Sequence, residues 1–335
     1  MRYQKLGNTD INASVISFGG IPIQRVDTAT AGAVLAECKK NGINFIDTAR
    51  MYTDSEEKIG EYFKRHGRQG WYVATKSMAR DYQGMMKDIK VSIENLACEY
   101  IDLYQLHNVA TAEDMERVLQ ADGAVAALEE AQRHGLVRHI GITGHKPEIL
   151  EPGVDSGRFA TLQIPFNALE QQGLDLMKKA REMGLGIIAM KPLAGGALTT
   201  ATAALDYIVH NPWVDVAIPG VDSVEQVREN CRVVEEGATI EQKQEMAELI
   251  AGLGTQFCRR CEYCQPCPVG LKIPAMFLFE GYYTRYNLKD WARERYSTLP
   301  VKASDCTQCG QCESRCPYDL PIREMLKQTA ATMEK

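Results

Sequence analysis

Short apolar runs alternate with longer segments of helical periodicity over residues 1–235 of the chain. Eight runs rich in β-branched and aromatic residues occur, at residues 14–20, 44–49, 71–77, 101–108, 138–145, 161–167, 186–193 and 215–221. The segments between them include TAGAVLAECKKNG and AVAALEEAQRHGL, and several end in basic residues and glycine, as helices commonly do. This pattern predicts repeated βα units around a parallel sheet.

Eight βα units suffice to close a barrel, so the predicted fold class is α/β, a (β/α)8 TIM barrel. A doubly wound sheet is the alternative, but it usually has fewer strands and a G-x-G-x-x-G turn after the first strand. The first run, SFGGIPI, lacks that turn. The opening segment YQKLGNTDINAS predicts a hairpin that turns near Gly7 and Asn8 and caps the barrel floor.

The cysteines divide the chain into two regions. Of eleven cysteines, three (Cys38, Cys98 and Cys231) lie in the first 256 residues, and eight lie between Cys258 and Cys316. We therefore predict a barrel domain over residues 1–252 and a second domain over residues 253–335. Residues 240–254 predict a helix that leads into the second domain, and the stretch 268–305 between its cysteine groups predicts a helical scaffold.

Composition and charge narrow the range of partners. Hydrophobic residues make up 45% of the chain and the net charge is −6, without a basic patch. We therefore expect no nucleic-acid partner and no anionic membrane surface. The N-terminus does not resemble a signal peptide, and no run of eighteen apolar residues occurs. These features predict a cytoplasmic protein, in which a disulfide framework is not expected.

Polar residues at the ends of three successive runs form a candidate catalytic group. Asp47 and then Tyr52 follow the second run, Lys76 ends the third and His107 ends the fourth. Active sites of TIM barrels lie at the carboxyl ends of the strands. There Tyr52 could donate a proton to a carbonyl oxygen, since a nearby ammonium favours the phenolate and lowers the pKa of the phenol. Asp47 would hold Lys76, and His107 would orient the carbonyl.

Each of these residues also has a structural interpretation. Taken singly, the tyrosine is a packing residue, the lysine a solvated loop residue, the aspartate a helix cap and the histidine a barrel histidine. Their joint placement at successive strand ends favours the catalytic interpretation.

Two cysteine motifs dominate the second region. Cys306-x2-Cys309-x2-Cys312-x3-Cys316-Pro317 has the bacterial ferredoxin spacing for a [4Fe–4S] cluster. The first group, Cys258-x2-Cys261-x2-Cys264-x2-Cys267-Pro268, has one residue fewer before its last cysteine. Zinc is the alternative ligand, but zinc sites seldom use three or four evenly spaced cysteines followed by proline.

The segments GINFIDTARMYTDSEEKIGEYFK, WYVATKS and IDLYQLHN resemble the signature segments of the aldo-keto reductase superfamily. The resemblance extends from residue 1 to about residue 235. It implies that Tyr52 is the general acid/base and that Asp47, Lys76 and His107 complete the catalytic group. It also implies NADP or NAD as cofactor, bound extended across the barrel mouth.

The same resemblance implies the nicotinamide-binding residues. For the nicotinamide end these are Thr143, Gln163, Asn167 and Met190, with Met190 standing where many relatives stack a tyrosine. The segment IPGVDSVEQVREN resembles the adenine and ribose-phosphate site, where Gly220, Ser223, Gln226 and Asn230 match the pattern. Asp222 would disfavour the 2′-phosphate of NADPH, whereas Arg228 would compensate for it, so the preference between NADH and NADPH stays open.

The cysteine region resembles two-cluster ferredoxins, and the whole chain resembles the aldo-keto reductases with a ferredoxin-like tail. The resemblance implies two [4Fe–4S] clusters. One would be held by Cys258, Cys261, Cys264 and Cys316, and the other by Cys306, Cys309, Cys312 and Cys267.

The predicted function is reversible reduction of an aldehyde or ketone by NAD(P)H, with a small-molecule carbonyl substrate. A hydride carries two electrons and a cluster takes one, and the chain has no flavin-binding pattern. The tail would therefore either exchange electrons with a ferredoxin-type carrier or brace the fold. The competing function is a redox-sensing or regulatory protein that binds nicotinamide without turnover.

Overall fold

The computed structural model describes residues 1–253, 256–260, 262–316 and 318–335. The predicted ligand Cys261 lies outside these residues. The chain forms two compact units, one of residues 1–192 and 200–243 and the other of residues 193–199 and 244–335. The predicted domain boundary between residues 252 and 253 stays a prediction.

The first unit begins with an antiparallel hairpin, β1 (Tyr3–Lys5) and β2 (Asn12–Ser14). Leu6 and Ile11 of its turn pack against Phe45 and Leu103 inside the barrel. At Gly7 φ is +55°, and a Cβ there would lie 2.2 Å from the backbone nitrogen of Gly186, so only glycine fits. The hairpin thus fills the barrel floor, as predicted.

Eight parallel strands follow and form one sheet in sequential order. The strands are β3 (Phe18–Gly19), β4 (Phe45–Asp47), β5 (Tyr72–Ser77), β6 (Ile101–Leu106), β7 (Val137–Thr143), β8 (Thr161–Pro165), β9 (Gly186–Met190) and β10 (Val216–Ala217). Parallel bridges from Ile16 to Ala217 and from Gly19 to Gly220 join the last strand to the first. The predicted (β/α)8 barrel is confirmed, and each predicted run contains one strand.

Helices follow the strands on the outside of the sheet. They are α1 (Thr28–Lys40), α2 (Ser55–His66), α3 (Tyr82–Asn95), α4 (Ala112–Leu119), α5 (Ala124–Arg133), α6 (Pro147–Asp155), α7 (Leu174–Glu182), α8 (Ala201–Val209) and α9 (Val224–Glu236). The next helix, α10 (Ile240–Leu253), spans the division between the two units, since the second unit resumes at residue 244. Side chains of Asp27, Asp81, Thr111 and Ser223 cap α1, α3, α4 and α9 by accepting a backbone N–H bond. Buried apolar side chains fill the space between helices and sheet.

Strand register sets a polar layer in the barrel interior. Lys76 pairs with Gln105, and Gln105 pairs with Gly141 on the next strand. A Cβ at Gly141 would lie 2.3 Å from Oγ1 of Thr161 and 2.9 Å from Cγ of Gln105. The glycine therefore leaves room for long polar side chains in this layer.

The second unit is helical and has its own core. Its further helices are α11 (Ile273–Thr284), α12 (Lys289–Ser297), α13 (Gln311–Ser314) and α14 (Ile322–Met333). The first two lie between the cysteine groups and confirm the helical scaffold predicted there. Leu271, Met276 and Leu326 are buried together with Cys264 and Cys312. Within the part of the chain that the structure describes, no helix has both the length and the hydropathy needed to cross a membrane.

Candidate active site and cluster-binding cysteines

The four predicted catalytic residues come from three successive strand ends. Asp47 is the last residue of β4, Lys76 lies near the end of β5, and His107 directly follows β6. Tyr52 lies in the tight turn between β4 and α2. There its backbone nitrogen donates to the carbonyl of Ala49 at 3.0 Å, and its carbonyl accepts from the nitrogen of Ser55 at 2.8 Å.

Lys76 and Asp47 form a buried ion pair. The Nζ of Lys76 donates to Oδ2 of Asp47 and to the carbonyl oxygen of Thr48, both at 2.7 Å. The side chains of Lys76 and Asp47 are only 1% and 3% exposed, respectively. Burial opposes the charge on Lys76, but Asp47 and Tyr52 outweigh it and raise the pKa of the lysine. Burial raises the pKa of Asp47, against the opposing effect of Lys76.

Tyr52 lies next to this pair. The charge of Lys76 interacts electrostatically with the Tyr52 phenol, and the ammonium nitrogen is 5.0 Å from the centre of the tyrosine ring. The ring also meets that of His107 edge to face, with centroids 5.8 Å apart and an interplanar angle of 88°. The structure therefore brings all four predicted residues together.

His107 is held as a neutral imidazole. Burial, together with the nearby charges of Lys76 and Arg80, lowers the pKa of His107 to about 3. Its backbone nitrogen donates to the carbonyl of Ser77 at 2.8 Å, and Arg80 donates to the carbonyl of His107 at 2.9 Å. Its Nδ1 is buried without a hydrogen-bond partner among the described residues. A neutral ring can offer one N–H donor to a carbonyl oxygen.

Two glutamines that surround Asp47 extend the site. Nε2 of Gln105 lies 3.3 Å from Oδ1 of Asp47 and 2.9 Å from Oε1 of Gln163, and the side chain of Gln163 lowers the pKa of Asp47 against the effect of burial. The prediction omitted Gln105. Gln105 could have been predicted from its position two residues before His107 on the fourth run, because alternate residues of a strand face the same side.

A second buried carboxylate supports the loop that carries Tyr52. Glu56, at the start of α2, accepts from Arg50 at 2.5 Å, from Thr75 at 2.6 Å and from Ser92 at 2.8 Å. Arg50 belongs to that loop, and Thr75 belongs to β5. The network therefore fixes the loop to the strand that carries Lys76.

The predicted nicotinamide residues lie at adjacent strand ends. Most of their polar atoms form hydrogen bonds to other groups of the chain. Thr143 and Gln163 are register partners on β7 and β8. The Thr143 hydroxyl accepts from the backbone of Asn108 at 2.9 Å. Asn167 donates to Glu170 and to the carbonyl of Lys191, both at 2.9 Å, and its oxygen accepts two backbone N–H bonds. Met190 ends β9 and is half-buried.

The segment after β10 leads into the N-terminus of α9. Ser223 caps this helix by accepting from the nitrogen of Gln226 at 3.3 Å, and the side chain of Gln226 accepts from the nitrogen of Asp222 at 2.9 Å. Gly220 packs on Pro22, where a Cβ would lie 2.8 Å from Cγ. Asn230 is buried farther along α9.

Both charged residues weighed for the cofactor preference are ion-paired. Asp222 binds Arg25 at 2.7 Å, and Arg228 contacts Glu37 at 2.8 and 3.3 Å. Arg25 is thus the ion-pair partner of this carboxylate, and it could not be predicted from the sequence because 197 positions separate the two residues. Whether Arg228 also compensates for Asp222 at the ribose-phosphate site stays a prediction.

In the second unit, five cysteines line one small cavity: Cys264, Cys267, Cys306, Cys309 and Cys312. Four of them, all except Cys264, are the set predicted to share a cluster. Cys258 lines a different cavity. Arg315 donates to the carbonyl of Pro266 at 3.1 Å, so the segments that lead into Cys316 and Cys267 lie side by side.

The two cysteine loops share a backbone conformation. In each loop the second residue after the first cysteine has positive φ, +57° at Arg260 and +58° at Gln308. The fourth residue does as well, +66° at Glu262 and +78° at Gly310. No three cysteine, histidine or carboxylate side chains of the described residues converge on a point that would hold a single metal ion. Cysteines spread around a cavity fit a cluster of several irons better than one zinc ion.

Comparison with known families identifies the barrel. A family model described as "Aldo/keto reductase family" matches residues 15–203, more than half of the 335 residues. The chain belongs to the aldo/keto reductase family. A model described as "4Fe-4S dicluster domain" matches residues 257–321 of this aldo/keto reductase. The predicted family and its C-terminal iron–sulfur domain are confirmed, and the match indicates [4Fe–4S] binding rather than zinc.

Curated relatives and solved structures agree with this assignment. The aldo/keto reductase is 28% identical to an L-galactose dehydrogenase of Arabidopsis thaliana over 72% of this chain and 90% of the relative. It is also 28% identical to a D-galacturonate reductase of Fragaria ananassa, over 64% of this chain and 69% of the relative. The holo form of the aldo-keto reductase AKR11C1 from Bacillus halodurans matches with a TM-score of 0.65 and 24% identity. That match covers 74% of this chain and 96% of the other, and supports the barrel fold.

Proposed function

We propose that the chain is an NAD(P)H-dependent reductase that interconverts a small aldehyde or ketone and the corresponding alcohol. The Lys76–Asp47 pair carries the proposal, because it is fully buried and its ammonium lies against the ring of Tyr52, which in turn contacts a neutral histidine. Two relatives support reversible chemistry, since one is named a dehydrogenase and the other a reductase. We place this chemistry in the cytoplasm.

The proposed proton transfer involves the four grouped residues. A nicotinamide cofactor, when bound, would supply or accept the hydride at the carbonyl carbon. Tyr52 donates its phenolic proton to the carbonyl oxygen, and the adjacent ammonium of Lys76 stabilises the phenolate that remains. Asp47 keeps Lys76 charged and in place. His107, neutral at physiological pH, orients the same oxygen through a ring N–H.

The predicted cofactor residues divide into two roles in this proposal. Met190 and the capped N-terminus of α9 at Ser223 are available to a nicotinamide dinucleotide, since a helix N-terminus favours anions. Gln163 and Asn167 act mainly through other residues, the former by orienting Asp47 and the latter by holding the loop after β8. Thr143 retains a hydroxyl proton for the carboxamide. In the proposal, the adenine and ribose-phosphate part of the cofactor binds at Gly220, Gln226 and Asn230.

Turnover of carbonyl compounds tests the proposal. Oxidation of NADH and of NADPH is followed with a panel of aldehydes, ketones and sugar acids. We expect turnover by the wild-type protein and a loss of roughly 100-fold or more in Tyr52→Phe. Tyr3→Phe, which removes a phenol on the barrel floor, is the matched control and should retain full activity. Binding of nicotinamide without turnover on any substrate would favour the redox-sensing alternative, and full activity of Tyr52→Phe would remove the tyrosine from its role.

We further propose that the C-terminal domain holds two [4Fe–4S] clusters. Cys306, Cys309, Cys312 and Cys267 would bind one, and Cys258, Cys261, Cys264 and Cys316 the other. The shared cavity of the first set and the repeated backbone of the two loops support this arrangement. Each cluster accepts one electron, so a ferredoxin-type carrier fits the tail better than direct exchange with nicotinamide.

Iron and sulfide analysis of anaerobically purified protein tests the clusters. We expect about eight irons and eight sulfides per chain, with a broad absorbance near roughly 400 nm. Cys309→Ser should lose about half of both. Cys98→Ser is the control, because Cys98 lies in the barrel. A wild-type chain with about four irons would contradict two clusters.

A further inference from the structure

Three large apolar side chains are exposed in the loops around Tyr52. Ile21 lies in the loop after β3, Met51 directly precedes Tyr52 in the loop after β4, and Met78 directly follows β5. Their exposed fractions are 41%, 65% and 40%, respectively. The three loops are neighbours, because their strands are adjacent in the sheet. We call Ile21, Met51 and Met78 the apolar rim.

Backbone hydrogen bonds join the first two of these loops to the strand ends that carry the catalytic group. In the first loop, the backbone nitrogen of Gly20 donates to the carbonyl of Asp47 at 2.7 Å. In the second loop, the backbone nitrogen of Arg50 donates to the carbonyl of Lys76 at 2.9 Å. The backbone beneath the apolar rim is therefore fixed to the site where the proposed reaction takes place.

The arginines of the second and third loops have partners within the protein. Arg50 forms its ion pair with Glu56 at 2.5 Å. Arg80 donates to the carbonyl of Met78 at 3.2 Å and to the carbonyl of His107 at 2.9 Å. These bonds also tie the third loop to the end of β6. The charges beside the apolar rim are thus engaged by protein groups, and the rim itself offers apolar surface.

A group of exposed apolar side chains at one place usually marks a surface that binds another molecule, whereas single ones are common. Small-molecule sites are mostly apolar, with a few polar groups that orient the ligand. Here Tyr52 and His107 are the polar groups for a carbonyl oxygen, so the apolar rim is available to the rest of the molecule. Two of its three members are methionines, whose unbranched, polarisable side chains adapt to ligands of different shape.

We propose that the apolar rim selects carbonyl substrates whose remaining part is an apolar chain or ring, in preference to sugars and sugar acids. This inference rests on the proposed function, because it assumes that the carbonyl binds at Tyr52. It separates this chain from the two relatives that are named for L-galactose and D-galacturonate. The hydroxyl groups of a sugar would lose hydrogen bonds to water on contact with the rim and gain none from it.

A series of straight-chain aldehydes from propanal to octanal tests the inference. Burial of one methylene group against apolar surface corresponds to a gain of up to roughly fourfold. We therefore expect kcat/KM of the wild-type protein to rise roughly two- to fourfold with each added methylene. The value for octanal should exceed the values for L-galactose and D-galacturonate.

Variants of the two methionines test whether the apolar rim causes this increase. Met51→Gln and Met78→Gln each replace the thioether by an amide of similar length and should flatten the increase with chain length. Met78→Leu remains apolar and should retain it. Met183→Gln is the matched control, because Met183 is 43% exposed at the end of α7, outside the loops around Tyr52. This control should have the same increase as the wild type.

Binding of aliphatic amides separates the inference from the proposed function, since it requires no turnover. Calorimetry in the presence of NAD⁺ or NADP⁺ measures the affinity for the series from butanamide to octanamide. Affinity should rise with chain length, with a negative change in heat capacity, and the increase should be lost in Met51→Gln and Met78→Gln.

An affinity and a kcat/KM that do not depend on chain length would overturn the inference, as would an increase that survives in both glutamine variants. Length-dependent binding of amides without turnover of any aldehyde would contradict the proposed function and leave the apolar rim supported.

Discussion

At the residue scale, the central feature is an ammonium ion buried in the barrel interior. Burial of Lys76 is tolerated because Asp47 and the carbonyl of Thr48 each accept from it at 2.7 Å. Removal of one partner of such a pair leaves an uncompensated buried charge, which typically costs about 3–5 kcal/mol. Lys76 and Asp47 therefore serve both the fold and the proposed chemistry.

A double variant distinguishes these two roles. Lys76→Met should destabilise the barrel by roughly 3 kcal/mol, because it leaves the buried Asp47 carboxylate without its ion-pair partner. Adding Asp47→Asn should restore most of the free energy of unfolding, since no buried charge remains. Activity should stay at least about 100-fold below wild type in both variants. Denaturant unfolding and carbonyl reduction are the two measurements, and recovered activity in the double variant would show that the ion pair is only structural.

His107 gives a prediction about protonation. Its pKa is lowered to about 3 by burial and by the charges of Lys76 and Arg80, so the folded protein should keep it neutral from pH 5 to 8. The unfolded chain protonates a histidine near pH 6.5. Protonation of His107 in the unfolded chain therefore leaves the free energy of unfolding unchanged well above pH 6.5. It lowers the free energy of unfolding progressively as the pH falls below 6.5.

Nuclear magnetic resonance of ring-labelled histidine can check this directly. The His107→Gln variant identifies which of the six histidine signals belongs to His107. That signal should not shift between pH 5 and 8, whereas the prediction does not concern the other five. A titration of that signal near pH 6.5 would show that the ring is more solvated than the structure indicates.

At the element scale, hydrophobic periodicity was sufficient to predict the strands, because each strand needs only a short apolar run and its neighbours follow in chain order. The strand ends carrying Asp47, Lys76 and His107 followed from the same pattern. Pairings between distant segments could not be predicted. Arg25 meets Asp222 only after the barrel closes, and the loop interactions of Asn167 depend on the positions of Glu170 and Lys191.

The Arg25–Asp222 pair predicts how the cofactor preference can be changed. Asp222→Asn should free the Arg25 guanidinium, which could then bind a 2′-phosphate through a charge-assisted hydrogen bond. We expect kcat/KM for NADPH relative to NADH to rise roughly tenfold. Kinetics with both cofactors measure the ratio. Arg25→Gln in the Asp222→Asn background is the control and should abolish the gain, while a gain that survives this change would exclude Arg25 as the phosphate partner.

At the scale of the whole molecule, the aldo/keto reductase barrel and the 4Fe-4S region belong largely to separate compact units. Cysteine distribution alone predicted the iron–sulfur region, because motif spacing is a local property of the chain. The hydrogen bond from Arg285 to the carbonyl of Gly195 was not predictable, because 90 positions separate the two residues in the chain. The segment 193–199 groups with the cluster unit although barrel elements flank it in the sequence.

The most direct test is a crystal structure of the protein with nicotinamide cofactor and a carbonyl-containing inhibitor. The proposed function predicts the inhibitor oxygen within hydrogen-bond distance, about 2.6–3.2 Å, of both the Tyr52 hydroxyl and a ring nitrogen of His107. The nicotinamide ring should lie beside Met190. A carbonyl bound away from Tyr52, with the cofactor in place, would contradict the account.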